Sequence, residues 1–313
     1  MPEGRVVGAP PRRIAMISLH TSPLAAAGSG DAGGMNVYVD AVAGELVQRG
    51  VEVDVFTRAT SPEDRATVTA ASRYRVHHLL AEAPTGLPKD DLPARLRAFS
   101  AELVRHPAAR QQGGFDVVHS HYWLSGQVGQ AAAVAWDAPL VHSMHTLARV
   151  KNAARAIGEQ PEPLARIAGE DRIVAVADLL VANTTSEAHD LRRLYRAFGE
   201  RVRVVHPGVD LTAFAPGDQR AARQHLGLPV DRTVLLFVGR LQPLKAPDVA
   251  IRSLAAMVAH DPRLAEEVLL VVCGGPSGAR PLLPGQLAAL ADGLGVGQQV
   301  RFVPPVARDA LAD

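Results

Sequence analysis

Apolar runs of strand length alternate with helix-patterned segments from one end of this chain to the other, and few folds accommodate that rhythm. RIAMISL (13–19), VEVDVFT (51–57), RYRVHHL (73–79), FDVVHSH (115–121), PLVHSMH (139–145), LLVAN (179–183) and RVRVVH (201–206) read as strands. Several are apolar at both parities, the pattern of strands covered on both faces of a parallel sheet. Segments 35–49, 92–105, 125–135, 162–176 and 186–198 read as helices. The last opens with Thr184-Thr185-Ser186-Glu187, a capping-box pattern. This alternation predicts a doubly wound α/β domain.

HPGVDLTAFAPGD (206–218) interrupts the rhythm with prolines and glycines, and a second series follows. TVLLFVG (233–239), EVLLVVCGG (267–275) and VRFVPP (300–305) read as strands, with helices from Pro247 to about 259 and over 283–294. The expectation is two Rossmann-like doubly wound domains, 1–208 and 217–313, joined near 209–216. Three strands are fewer than such a sheet usually carries, so the second domain reads as truncated.

Composition removes several function classes. A net charge of +1 lacks the basic excess of a nucleic-acid binder. No apolar run approaches the roughly 18–20 residues of a membrane span, and the first residues lack a signal-peptide core. A lone cysteine, Cys273, rules out an internal disulfide framework and suits a reducing cytoplasm.

The stretch GSGDAGGMNVY (28–38) begins with a literal G-x-G-x-x-G, a weak signal by itself. In a dinucleotide fold the first glycine directly follows the first strand, whereas here HTSPLAAA intervenes. Glu52 and Asp54 still offer a ribose-binding acid, so the dinucleotide reading stays open beside that of a surface loop. The third reading is a glycine loop whose amides face an anion at a helix N-terminus. There Gly33 and Gly34 would permit close approach, with Asp31 and Asn36 reaching hydroxyls.

GRLQPLKAPD (239–248) places Arg240 and Lys245 beyond the carboxyl end of a strand, where ligands bind in open α/β sheets. An arginine fork and a lysine point charge suit a diphosphate, though two solvated charges would look the same. His119-Ser120-His121 and His142-Ser143-Met144-His145 end neighbouring strands. His119 and His121 are expected on opposite faces and so not on one metal ion. His145 is expected to face a ligand, with His119 and His142 as core histidines.

These residues together carry a resemblance. Ser-Pro-Leu before GSGDAGGMNVYV, then HSHYW, HTLARVKN, HPGVD and GRLQPLKAPD, resemble the GT-B retaining glycosyltransferases with nucleotide-sugar donors. The similarity is greatest to those that glycosylate inositol phosphate in actinobacterial mycothiol biosynthesis. It implies a GT-B fold and transfer of N-acetylglucosamine from UDP-N-acetylglucosamine to 1D-myo-inositol 3-phosphate.

Carried onto this chain, the resemblance implies an acceptor site of His20, Asp31, Ala32, Gly33, Gly34, Met35, Asn36, Lys89, Tyr122, Thr146 and Arg166. Lys89, on a long loop, and Arg166 would clamp the acceptor phosphate. The donor site would comprise Gly34, Arg240, Lys245 and, through its backbone, Val303. Arg240 and Lys245 would stabilise the leaving diphosphate while His145 orients the sugar. The glycine loop would then face a transfer site between the domains. Ala26 and Ala27 stand where the family usually has Gln-Pro touching the donor. The family continues past the position of Asp313 with a Glu-x7-Glu pair and its magnesium position, so no metal ligands and no organic cofactor are expected here. A homodimer is compatible with the resemblance. The alternatives are a transferase with another acceptor such as a sugar phosphate, a chain that only binds inositol phosphate, and an NAD-dependent oxidoreductase.

Overall fold

A computed structural model describes residues 10–25, 32–81, 85–111, 113–155, 160–276, 282–307 and 309–313. The chain forms two compact units, the first carried mainly by residues 35–207 with the strand before them, the second by residues 208–313.

The first unit is built on an eight-stranded sheet. Its strands are β1 (Arg13–Ile17), β2 (Glu52–Arg58), β3 (Thr67–Ala71), β4 (Tyr74–Leu79), β5 (Val117–His121), β6 (Leu140–Ser143), β7 (Leu179–Ala182) and β8 (Val202–Val204). They lie in the order β3-β4-β2-β1-β5-β6-β7-β8, parallel except for β3. All five residues of β1 are buried, which explains its apolar character at both parities. The helices α1 (Gly34–Gln48), α2 (Leu96–Arg105), α3 (Tyr122–Trp136), α4 (Ala148–Ala153), α5 (Leu164–Val176) and α6 (Thr185–Tyr195) connect the strands.

Two cores form because β1 turns alternate side chains to opposite faces. Ile14 and Met16 pack with Val39 and Ala43 of α1. Ala15 and Ile17 pack with Leu124 and Val128 of α3 and Ile173 of α5. A Cβ on Gly126 would lie 2.4 Å from Ile173 Cδ1 and 2.8 Å from His142 Cε1, so glycine lets α3 settle against α5 and β6. Strand order reverses between β1 and β5, which opens a ligand crevice at their carboxyl ends.

In the second unit β9 (Thr233–Val238), β10 (Val268–Cys273) and β11 (Val300–Val303) form a parallel sheet in the order β11-β10-β9. Helices α7 (Gln219–His225), α8 (Pro247–His260), α9 (Leu264–Glu267) and α10 (Pro284–Gly293) accompany it. Val268, Leu270 and Val272 form one core with Ile251 and Leu254 of α8 and Leu287 of α10. On the other face Leu236 and Val238 are 64% and 49% exposed.

The sequence reading differs from the structure in places with physical causes. Strand β3 was not expected: TVTAA is nearly all exposed and carries no apolar period. The segment 92–105 is not one helix, because Pro93 falls in a 3-10 helix, Lys89–Arg95, that precedes α2. Lys89 therefore opens a helical turn rather than sitting on a long loop. Helices α4, α7 and α9 are too short to show periodicity.

Candidate functional site

The crevice at the carboxyl ends of β1, β5 and β6 brings together His20, Tyr122, Thr146 and Arg166 of the proposed acceptor residues. His20 lies three residues past β1, Tyr122 follows β5 directly, and Thr146 lies three residues past β6. The His20 and Tyr122 rings are 4.6 Å apart, and the Arg166 guanidinium stands 5.0 Å over the Tyr122 ring. Burial pushes the His20 imidazole well below its usual range, and the nearby cations Lys89, Arg58 and Arg166 push the same way. Burial raises the Tyr122 phenol, partly offset by Arg166 and Lys89. His20 Nδ1 is enclosed with no partner among the described residues. A neutral donor-acceptor ring amid several cations suits an anionic ligand that carries hydroxyls.

Arg166 is only 3% exposed and is held from three sides. Its Nη2 donates to Thr146 Oγ1 at 2.9 Å, its Nη1 to Glu162 at 2.8 Å and its Nε to Glu170 at 2.8 Å. Glu162 also pairs with Lys151. Glu170, completely buried, accepts further bonds from the Ala148 N–H and the Tyr195 hydroxyl. The i, i+4 spacing of Glu162, Arg166 and Glu170 along and just before α5 makes this ladder possible.

A second cluster sits beside it. His121 Nδ1 lies 3.0 Å from His145 Nε2, His119 Nε2 lies 3.0 Å from Ser143 Oγ, and His142 Nδ1 lies 2.7 Å from Ser120 Oγ. The expectation that His119 and His121 diverge is wrong: residues two apart in a strand share a face, and their rings are 4.1 Å apart. Burial lowers every imidazole in the cluster, His119 to about 4 and His142 and His145 to about 3. Among the described residues no group of three or more His, Cys, Asp or Glu is arranged to hold a metal ion. Tyr122 and His145 both adopt left-handed backbone, φ 72° and 60°, which is costly for such bulky residues.

Of the glycine loop, Ala26, Ala27 and Asp31 lie outside the described residues. Ala32 is buried, Gly33 precedes the helix, Gly34 is the first residue of α1, and Met35 packs against both cores. The Asn36 amide is turned inward, donating to Thr21 Oγ1 at 2.7 Å and to the Ser22 carbonyl. The acid required by the dinucleotide reading is not available. Asp54 is completely buried and bound by Arg13, Arg75 and His77; although burial raises its pKa, hydrogen bonds from those three hold it well below the usual carboxylate range. Glu52 is the first residue of β2, at the end of the sheet away from the crevice.

In the second unit Arg240 lies half-buried two residues past β9, and the exposed Lys245 ends a 3-10 turn, Pro243–Lys245. The Val303 carbonyl accepts the Gly274 N–H at 3.0 Å. Gly274 has φ 152°, and a Cβ there would lie 1.8 Å from the Gly239 carbonyl oxygen. Only glycine lets β10 end so close to the loop that carries Arg240.

Sequence reasoning missed Arg58, whose Nη1 donates to the Leu87 carbonyl, two residues before Lys89. It also missed Tyr38, packed edge-on to the His145 ring at 5.1 Å, and the Glu170 anchor. The i, i+4 pair of Arg166 and Glu170 was visible in the sequence; the other two depend on long-range contacts.

Comparison with known proteins follows this division. The model of Glycosyltransferase Family 4 matches residues 32–213, and that of Glycosyl transferases group 1 matches residues 218–313. A protein of Catenulispora acidiphila named D-inositol 3-phosphate glycosyltransferase 2 is 52% identical over 97% of this chain and 71% of its own length. A D-inositol 3-phosphate glycosyltransferase of Acidothermus cellulolyticus is 52% identical over 98% of this chain and 69% of its own. Among solved structures, sucrose-phosphate synthase from Thermosynechococcus elongatus aligns with a TM-score of 0.83 at 30% identity, covering 96% of this chain and 72% of that one. The architecture is that of the GT-B glycosyltransferases.

Proposed function

We propose, for a chain that belongs to the D-inositol 3-phosphate glycosyltransferase family, that it transfers N-acetylglucosamine from UDP-N-acetylglucosamine to 1D-myo-inositol 3-phosphate with retention. The observation that carries the acceptor assignment is the Tyr122 ring, 4.6 Å from that of His20 and 5.0 Å below the Arg166 guanidinium, with Lys89 and Arg58 near enough for their charges to act on His20. Each cation in contact with a phosphate would contribute about 1.5–3 kcal/mol as a charge-assisted hydrogen bond. Tyr122, Thr146 and the unpartnered Nδ1 of His20 would take the remaining phosphate oxygens and ring hydroxyls.

In this reading Arg240 and Lys245 neutralise the diphosphate as the glycosidic bond to it breaks. The acceptor hydroxyl attacks from the face that the diphosphate leaves, and its proton passes to the leaving phosphate oxygen. His145 orients the sugar. The side chains then act by positioning and electrostatics rather than as a covalent nucleophile. The magnesium that the resemblance allows finds no cluster of three or more suitable side chains among the described residues.

Incubating the protein with UDP-N-acetylglucosamine and inositol 3-phosphate tests the assignment. Release of UDP with formation of the α-linked product is expected. Transfer to glucose 6-phosphate or fructose 6-phosphate but not to inositol 3-phosphate would move the acceptor to the sugar phosphates.

A further inference from the structure

The contact between His121 and His145 allows only one of two proton arrangements. Burial keeps both rings neutral, so each carries a single N–H. One proton must lie between His121 Nδ1 and His145 Nε2, which are 3.0 Å apart. If His145 donated from Nε2, then His121 would have to carry its own proton on Nε2. That atom is sealed from solvent and has no partner among the described residues. A buried N–H without an acceptor is rare in native proteins and costs more than an unfilled lone pair. The reverse arrangement leaves only a lone pair at His121 Nε2.

We infer that His121 is a positioning residue: it donates from Nδ1 to His145 Nε2 and so commits His145 to present Nδ1–H as a hydrogen-bond donor to an oxygen of the bound sugar. The inference rests on the proposed reading that His145 touches that sugar. Three further features fix the direction of this donor. The Tyr38 ring stands edge-on to His145 at 78° and to His121 at 64°. The left-handed backbone of His145, φ 60°, turns the chain at the end of β6. His145 Nδ1 itself makes no hydrogen bond among the described residues, and the ring is only half-buried. With the opposite tautomer the same nitrogen would be an acceptor, and a sugar ether or carbonyl oxygen would meet lone pair against lone pair.

Nitrogen-15 and carbon-13 NMR of the histidine-labelled protein reads the tautomer directly, with His145 assigned from the signals lost in His145→Gln. The expected result is a protonated Nδ1 and a bare Nε2. In His121→Phe the two tautomers should mix and kcat should fall about tenfold, the effect of one well-placed hydrogen bond, with KM for inositol 3-phosphate unchanged. His121→Asn, whose amide N–H can take the place of Nδ1–H, should restore both. A protonated Nε2 in the parent chain, or an unchanged tautomer in His121→Phe, would overturn the assignment. Full turnover by His145→Gln would instead remove the sugar contact while leaving the tautomer result intact, which separates the two claims.

Discussion

Arg166 Nε lies 2.8 Å from Oε1 of Glu170, a carboxylate with no exposed surface. The arginine proposed to grip the acceptor phosphate is thus also the counter-ion of a buried acid. Arg166→Met should cost about 3–5 kcal/mol, because Glu170 would be left charged and unpaired. The double variant Arg166→Met, Glu170→Gln should regain much of that stability while inositol phosphate affinity stays at least about tenfold down. Denaturant titration and calorimetry read the two effects apart. A double variant that binds like the parent would remove Arg166 from the clamp.

Arg58 ties the end of β2 to the Leu87 carbonyl and thereby orders the turn that Lys89 opens. Arg58→Met should weaken inositol 3-phosphate binding several-fold, and Lys89→Ala about tenfold or more, the equivalent of about 1.4 kcal/mol. If the arginine acts partly through Lys89, the double variant will show less than the summed loss. Strict additivity in calorimetry would mean that the two residues act independently.

Stability should depend on pH through the enclosed imidazoles. His20, His121 and His142 are buried, and each is pushed below its ordinary value of 6.5, His142 to about 3. Below pH 6.5 the unfolded chain takes up protons that the folded chain refuses, so stability is full above that value and falls as the solution is acidified towards about 3. Each histidine contributes a slope of about 1.4 kcal/mol per pH unit inside its window. Thermal melting followed from pH 8 to pH 5 should be flat and then fall below about 6.5. His142→Asn should give a shallower fall; an unaltered profile would place the cause elsewhere.

Gly274→Ala would drive a methyl group into the Gly239 carbonyl, at a backbone angle that only glycine adopts easily. Because Arg240 follows Gly239, the displacement should weaken UDP binding by about tenfold or more, the size of one lost charge-assisted contact. Equilibrium binding of UDP measures this. Undiminished affinity would show that the Arg240 loop does not depend on the approach of β10.

Strand positions were legible because buried parallel strands are apolar at both parities, as RIAMI and VLLVVC show. The polar edge strand β3 lacked that signal, and α4, α7 and α9 were too short to show a period. Arg240 and Lys245 could be placed from the strand that precedes them, and His20 and Tyr122 from the resemblance. Three features lay beyond sequence reading. The charge ladder through Glu170 needs β6, α5 and α6 packed together. The alignment of His121 with His145 depends on register between neighbouring strands. The sealing of Asp54 by three bases, which removes the dinucleotide reading, appears only once β1, β2 and β4 are paired.

Tyr122 and His145 bend the chain into the left-handed region at the ends of adjacent strands. Asparagine would take the His145 angle with less strain, so a population of variants screened for heat tolerance alone should accumulate it at position 145, whereas at position 122 the buried Tyr122 ring contributes more by packing than the angle costs. Selection for sugar transfer would have to oppose that drift. On the proposed role of His145, its angle sets durability against work in the main chain rather than in the side chains.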